Sequence, residues 1–230
     1  PVKTEDFTWG VDFNFSKNNQ KVVELAPNLD QYSLASGWSS LQIKAEKGQS
    51  FGIYGIDFLK DEDTGKYLID SESGLRIPDD KSKRLGNIYP DWMLGINTNF
   101  SYKSFSVSGL VDIRQGGKFY SGTVSNLRTS GLAAETGGDR STPIILDGLV
   151  NKNGTLVQND IPVESAQMYY QSNYDAGNTA SNVFDASYIK LREIRVSYAL
   201  PKSVLANQKV IKAAEFGVEG RNQVCKDTDP

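Results

Sequence analysis

The chain has 230 residues, 38% of them hydrophobic, with 21 Gly, 11 Tyr, 10 Phe and a formal net charge of −3. This length accommodates one large all-β domain or two small ones, and a Gly- and aromatic-rich composition suits twisted strands and long polar loops better than a helical bundle. Without a basic stripe the chain offers no nucleic-acid surface, without histidine it lacks the commonest general base and metal ligand, and the lone Cys225 excludes an internal disulfide.

No window reaches the apolar length of a membrane-spanning helix. Strands of transmembrane barrels, however, are alternating segments of about ten residues with a weak signal each. No signal peptide opens the chain and its last residues are KDTDP, so both ends read as those of a fragment. Phe7, Trp9, Val11, Phe13 and Phe15 alternate with polar or small residues, a period-two pattern that predicts a strand. Residues 17–20 are a polar turn, and residues 21–25 read as the return strand of a tight hairpin. Tyr32 and Leu34 begin one further strand, and Leu41, Ile43 and Ala45 mark another. Residues 51–58 are aromatic and glycine-rich, and residues 60–80 are turn-dense. Asp61, Asp63 and Gly65 are spaced as in a calcium loop, but the distal Glu has no counterpart, so a solvated turn is the expectation.

Residues 87–113 form the clearest hairpin. Trp92, Leu94, Ile96, Thr98, Phe100 and Tyr102 share one parity, and Phe105, Val107, Gly109, Val111 and Ile113 return after a turn at residues 102–104. Aromatics at both ends of an apolar band are what the two interfacial girdles of a membrane barrel require. A soluble sandwich would instead bury that face and expose the Asn, Ser, Asp and Arg of the other.

Residues 115–185 are polar and rich in glycine breakers, a connection long enough to be functional or disordered. Asn153-Gly154-Thr155 matches a glycosylation sequon by chance. Tyr169, Tyr170 and Tyr174, beside Gln and Asn, could stack on and hydrogen-bond a sugar; aromatics that pack the loop are the plainer alternative. In the following strand, Ile194, Val196, Tyr198 and Leu200 oppose Glu193, Arg195 and Ser197, but Ile189 and Leu191 lie in the opposite phase. That switch predicts a bulge or an exit from the apolar layer. Beyond a short turn, Phe216 and Val218 oppose Glu215, Glu219 and Arg221. Catalytic triads that rely on histidine are impossible here, and although carboxylates such as Asp112 and Glu193 could pair for glycosidase chemistry, carboxylates alternating on a polar strand face are usually solvated surface, so no enzyme is expected.

Several motifs, in order along the chain, resemble the SusC/RagA family of TonB-dependent outer-membrane transporters. Phe7-Thr8-Trp9 through Asn14-Phe15-Ser16 and Lys21-Val22-Val23 resemble the family's F-x-W…N-x-S…V stretch, and residues 48–55 its GxxxGxxYG segment. Gly86-Asn87, Pro90-Asp91-Trp92, Gly95, residues 102–105 and Gly116-Gly117 match the hairpin that follows. Residues 185–193 (DASYIKLRE) are the most specific piece, and Gly220-Arg221-Asn222 and Asp229-Pro230 fit beyond it.

The resemblance implies that residues 1–230 are a C-terminal portion of a large transmembrane β-barrel of about 22 antiparallel strands with a plugged lumen, all-β, with residues 115–185 a long extracellular loop. The plug domain and the final strands would lie outside this chain. Family members import glycans or peptides across the outer membrane of Bacteroidetes, pair with a SusD-like surface lipoprotein and draw energy from the TonB complex; no cofactor is implied. Trp92, Leu94, Ile96, Phe100, Tyr102, Phe105, Val107, Val111, Ile194, Val196 and Tyr198 would then face lipid. Asn97, Asn99, Ser108, Asp112, Glu193, Arg195 and Glu215 would face the lumen, and Tyr169, Tyr170 and Tyr174 would be candidate substrate contacts. The alternative is a soluble all-β carbohydrate-binding module with Trp92, Phe100 and Tyr102 in a two-sheet core.

Overall fold

The computed structural model of the protein describes residues 1–37, 40–138, 140–175, 177–206 and 210–227. Asp229 and Pro230, matched above to the family pattern, lie outside the described residues. Strands β1 (Val2–Lys3) and β2 (Phe7–Ser16) come first. The next segment carries β3 (Gln31–Ser36), β4 (Gln42–Glu46), β5 (Gly52–Gly55), β6 (Leu68–Ile69) and β7 (Lys83–Asn87). A hairpin, β8 (Trp92–Tyr102) and β9 (Phe105–Gln115), follows. A second segment contains β10 (Lys118–Tyr120), α1 (Gly122–Thr129), β11 (Ile144–Ile145), β12 (Leu149–Lys152), β13 (Thr155–Gln158), β14 (Pro162–Val163), α2 (Ala166–Tyr174) and β15 (Val183–Asp185). The chain ends with β16 (Tyr188–Ala199), a single helical turn α3 (Lys202–Leu205) and β17 (Glu215–Asp227).

These elements sort into two compact units. The first comprises residues 1–19, 89–117 and 185–230; the second is built from the two intervening segments, 20–88 and 118–184. The first is a six-stranded sheet in the order β1-β2-β8-β9-β16-β17, antiparallel at every pairing. Ser16, Met93, Arg114 and Tyr188 share one row of its register, so both long segments leave and re-enter at the same end of the strands. At the other end β8 and β9 are joined by Lys103 and Ser104 alone, with Lys103 in the left-handed region (φ 53°). The sheet is open: β17 and the β1–β2 edge terminate its strand order.

The hairpin expected from residues 21–25 does not form. β2 pairs with β8, more than seventy residues on in sequence, along its whole length from Phe7↔Tyr102 to Ser16↔Met93. Residues 21–25 form no strand; Val22 exchanges backbone hydrogen bonds with Gln49 (2.9 Å) and Gly48 (2.8 Å) beside the β4–β5 turn. The physical reason is length. A ten-residue strand with five large apolar side chains on one face is matched by β8, which carries an equally long apolar face, and not by a five-residue segment with two apolar residues, Val23 and Leu25, on one parity and Val22 alone on the other.

The second unit holds the conventional hydrophobic core. Ile69, Leu146, Val150 and Val163 are its buried centre, packed by Tyr67, Leu75, Ile144, Val157, Ile161, Met168 and Tyr169. Ile69 comes from one segment and the rest of the centre from the other, and parallel pairing of β6 with β12 (Leu68↔Leu149, Ile69↔Val150) ties the two together. Two features depart from an all-β, all-antiparallel chain here: that parallel pair, and helices α1 and α2. Each helix starts at a serine, Ser121 and Ser165, whose hydroxyl accepts from Val124 N (3.2 Å) and Met168 N (3.1 Å).

Residues 58–78 fold on a nine-residue repeat. Asp61-x-x-Thr64-Gly65 and Asp70-x-x-Ser73-Gly74 make the same turn. Each Asp carboxylate accepts from the backbone N–H and the hydroxyl three residues on (2.6–2.9 Å), and each Gly sits at φ of 70–71°. Those hydrogen bonds hold the Asp61 and Asp70 carboxyls below the ordinary carboxylate range. The Asp61 carboxylate is thereby engaged with its own turn, in keeping with the solvated-turn expectation. Asn153 and Gly154 (φ 56° and 87°) form the two-residue turn between β12 and β13, so the sequon is a hairpin tip.

Candidate functional site

The six-stranded sheet has two chemically opposite faces. On the first, register aligns Phe7, Tyr102, Phe105, Tyr198 and Phe216 in a single cross-strand row, at the end where β8 turns directly into β9. The next row on that face is Trp9, Phe100, Val107, Val196 and Val218, followed by Val11, Thr98, Gly109 and Ile194, then by Phe13, Ile96, Val111 and Leu191. Phe15 and Trp92 stack at the opposite end, ring centroids 6.2 Å apart. Among these rings, the Trp9 indole N–H donates to Thr98 Oγ1 (3.1 Å) on the same face.

This apolar face is exposed. Phe13 is 70%, Phe100 37%, Tyr102 49% and Phe216 66% accessible, whereas every buried hydrophobic residue among the described residues lies in the second unit. Within the sheet unit no second sheet covers Trp92, Phe100 and Tyr102, contrary to the sandwich core that the soluble-module alternative requires. Burying a single such aromatic is worth roughly 1.5–3 kcal/mol, so an uncovered face with this many is an interaction surface and not a solvated one.

The opposite face is polar. Asn97, Asn99, Ser108, Asp112, Glu193 and Arg195 share it by register, and Glu215 reaches it through Arg195 (3.1 Å). Asn99, Ser108, Arg195 and Glu215 line one shallow concavity of about 250 Å³. Where the sequence parity switches, β16 has its bulge: register shifts between Leu191 and Glu193 against both neighbouring strands. The extra residue, Arg192, lets Leu191 and Ile194 keep to the apolar face while its guanidinium joins the polar one. There it donates to Asp112 Oδ2 (2.8 and 3.0 Å), which also accepts from Tyr188 Oη (3.0 Å), and it reaches Asn222 Oδ1 at 3.4 Å. Arg221 pairs with Glu219 and, at 4.0 Å, with Glu193.

In the second unit, α2 brings Tyr169, Tyr170 and Tyr174 into one cluster. Tyr169 meets the other two edge-on (5.0 and 6.1 Å), and Tyr170 stacks on Tyr174 (6.1 Å). All three are half-buried. Tyr169 packs on the core, and burial first, then the Tyr174 hydroxyl, push its phenol well above the ordinary value. Tyr174 lies under the Arg128 guanidinium (4.5 Å), and Tyr170 donates to Glu135 O (2.8 Å). Tyr170 also lines a pocket of about 290 Å³ that includes Gln167, Gln171, Ser130 and Arg140. Sequence reasoning missed this pocket because its sides come from separate loops; the Ser165 and Ser121 caps were the available signal for the helices that frame it.

Three comparisons with known proteins bear on the site. No protein-family model matches the chain. A curated relative, TonB-dependent receptor P3 of Formosa agariphila, is 25% identical over 243 aligned residues, which cover 96% of this chain and 22% of the relative. Among solved structures, the RagAB peptide transporter matches with a TM-score of 0.64 at 16% identity, and the RagAB peptide importer in its open-open state with 0.60 at 18%. Each match covers 99% of this chain and 24% of the other. The fold is therefore shared along essentially the whole chain, which spans about a quarter of the length of the proteins it matches.

Proposed function

We propose that this chain forms part of the wall, and much of the extracellular loop structure, of a TonB-dependent importer in the outer membrane of a Gram-negative bacterium of the Bacteroidetes type. The observation that carries the proposal is the exposed apolar face of an antiparallel meander whose aromatics align in one row, with both long connections at the other end of the strands. A membrane wall needs an apolar band toward lipid and backbone groups satisfied between strands. The named relative and the RagAB fold support the same reading.

In this account Trp92, Leu94, Ile96, Phe100, Tyr102, Phe105, Val107, Val111, Ile194, Val196 and Tyr198 face lipid. Asn97, Asn99, Ser108, Asp112, Glu193, Arg195 and Glu215 face the lumen. The free edges of the sheet pair with further strands, since an open edge cannot stand in hydrocarbon. On the polar face Asp12, Asp112, Glu193, Glu215 and Glu219 are interleaved with Arg114, Lys190, Arg192, Arg195 and Arg221. Balanced charges give this stretch no net field that would trap a charged nutrient in transit. The second unit is the outer loop structure, with Tyr170 and its pocket as the surface that meets an oligosaccharide or oligopeptide. A SusD-like lipoprotein covers the outer opening, and the TonB complex acts on a part of the protein outside this chain. No catalysis is assigned.

Uptake of labelled oligosaccharides and oligopeptides by cells expressing the full-length protein tests this. Accumulation should require TonB and cease when the proton gradient is collapsed. Uptake that survives loss of TonB, or none of either class, overturns the proposal.

A further inference from the structure

On the polar face of the sheet, Thr8, Ser101, Ser106, Ser197 and Gly217 follow one another in a single row across β2, β8, β9, β16 and β17, with Lys3 of β1 at its margin. The concavity of about 250 Å³ on this face is lined by Ser101, Ser106 and Ser197 of that row, together with Asn99, Ser108 and the Arg195–Glu215 ion pair. The hydroxyls of Ser101 and Ser106 share a hydrogen bond (3.0 Å). Ser197 differs from both. It is only 7% accessible, yet its hydroxyl has no hydrogen-bond partner among the described residues.

A buried hydroxyl without a partner is costly, and what can supply one here is an occupant of the concavity that Ser197 lines. Water meets that need. The group that most closely replaces water is an alcohol hydroxyl, which likewise both donates and accepts. The surroundings fit the same occupant: serine hydroxyls and the Asn99 carboxamide donate and accept, and the ion pair sets N–H donors beside carboxylate acceptors. Arg195 and Glu215 neutralise each other, so the concavity offers a charged ligand no net attraction. A peptide group splits donor and acceptor between N–H and C=O, whereas neighbouring ring carbons of a sugar carry hydroxyls that do both. A shallow site of this kind holds its ligand weakly, as passage through a lumen requires.

We infer that the concavity over Ser197 is a transit subsite for neutral sugar, in which ring hydroxyls take the place of water on Ser197, Ser108 and Asn99. This rests on the reading of the chain as part of an importer whose polar face lines the lumen, and the test separates the two. The full-length protein, in a Cys225→Ser background, is reconstituted in vesicles with Ser197→Cys or, two rows away on the same face, Asn97→Cys. The rate of modification by the small neutral reagent methyl methanethiosulfonate is measured alone, with maltotriose or xylotriose, and with trialanine at equal concentration. In the same vesicles, quenching of a bimane label at Ile96→Cys by brominated lipid reports on the wall.

Modification at both positions, slowed several-fold by sugar at 197 and unchanged at 97, is the expected result. Ser108→Ala should raise the sugar concentration needed for that protection by about two- to tenfold, the worth of one hydrogen bond. Ser197→Ala should leave stability to urea unchanged, since no protein hydrogen bond is lost; a loss of stability would make Ser197 structural and overturn the site. Modification at 197 that neither sugar slows overturns the subsite and leaves the lumen standing. Slowing by trialanine as strong as by sugar overturns the ligand class, and equal slowing at 97 overturns the concavity as its place. No modification at 197 overturns the subsite, and if the label at 96 is also unquenched, the wall falls with it.

Discussion

Ile96 and Asn97 are adjacent in β8 and point to opposite faces of the sheet, so one substitution at each gives a paired test of the wall. β8 has eleven residues, about 37 Å of strand, which at a tilt of about 40° spans about 28 Å of membrane normal, close to the height of an outer-membrane apolar band. Ile96 is the fifth residue of the strand and lies in the row of Phe13 and Val111, near the middle of that span. An arginine there must place its charge at the depth where it is most costly, about 2–4 kcal/mol, whereas at an interface the cost is about 0–1 kcal/mol. Ile96→Arg should therefore destabilise the full-length protein by about 2–4 kcal/mol, and Tyr102→Arg, in the end row, by at most about 1 kcal/mol. Asn97→Arg, on the polar face one residue away, should be nearly neutral. Urea titration of refolding into vesicles, read by the shift in electrophoretic mobility between folded and unfolded barrel, measures all three. Equal costs at Ile96 and Asn97, or a greater cost at Asn97, would refute the assignment of faces.

Further predictions concern the second unit. Val150 is fully buried at the centre of its core, so Val150→Ala should cost about 2 kcal/mol, read as faster proteolysis within residues 20–88 and 118–184 and no change in wall quenching. Tyr170→Ala, which removes the pocket-lining ring, should weaken nutrient binding about tenfold with little loss of stability. Tyr169→Ala, whose ring packs on the core, should instead destabilise the unit by about 2 kcal/mol; a binding loss confined to Tyr169→Ala would transfer the contact to that residue. The carboxyls of Asp61 and Asp70 are held low first by the hydroxyls of Thr64 and Ser73. Their contribution is complete above the ordinary carboxylate value and is lost as pH falls through the depressed one. Asp61→Asn with Asp70→Asn should therefore flatten the acid limb of the loop unit's stability, as followed by hydrogen exchange.

Much of the sheet was legible because its signals are local. Trp92 to Ile113 read correctly as a hairpin since both strands alternate without interruption and only residues 102–104 break the pattern. The bulge at Arg192 was visible as the phase change between Leu191 and Ile194, as a period of two permits no other way to keep both residues on one face. What failed was pairing at a distance. The segment nearest to β2 in sequence offers itself as its partner, and only the length of its aromatic face points to β8. The joint core of the two long segments was illegible for the same reason: Ile69 and Val150 lie on short strands that bury little until they meet. The Asp-x-x-Ser/Thr-Gly turns at an interval of nine could have been found, because each places a side-chain acceptor, a hydroxyl and a left-handed glycine in the order such a turn needs. The tyrosines of α2 stand close together in sequence and their rings touch, but a nine-residue helix with apolar and amide groups mixed around it does not reveal which rings turn inward.

The central claim, that one face of this sheet meets lipid and the other a wet lumen, is tested most directly by side-specific quenching in the full-length protein. Labels at Ile96→Cys and Val107→Cys, and at Asn97→Cys and Ser108→Cys, each in Cys225→Ser, are exposed in turn to lipid-borne quenchers and to a water-soluble one. Strong quenching by lipid at 96 and 107, with quenching only by the soluble agent at 97 and 108, is the predicted result. Absence of lipid quenching at all four, or equal quenching on both faces, would contradict the account.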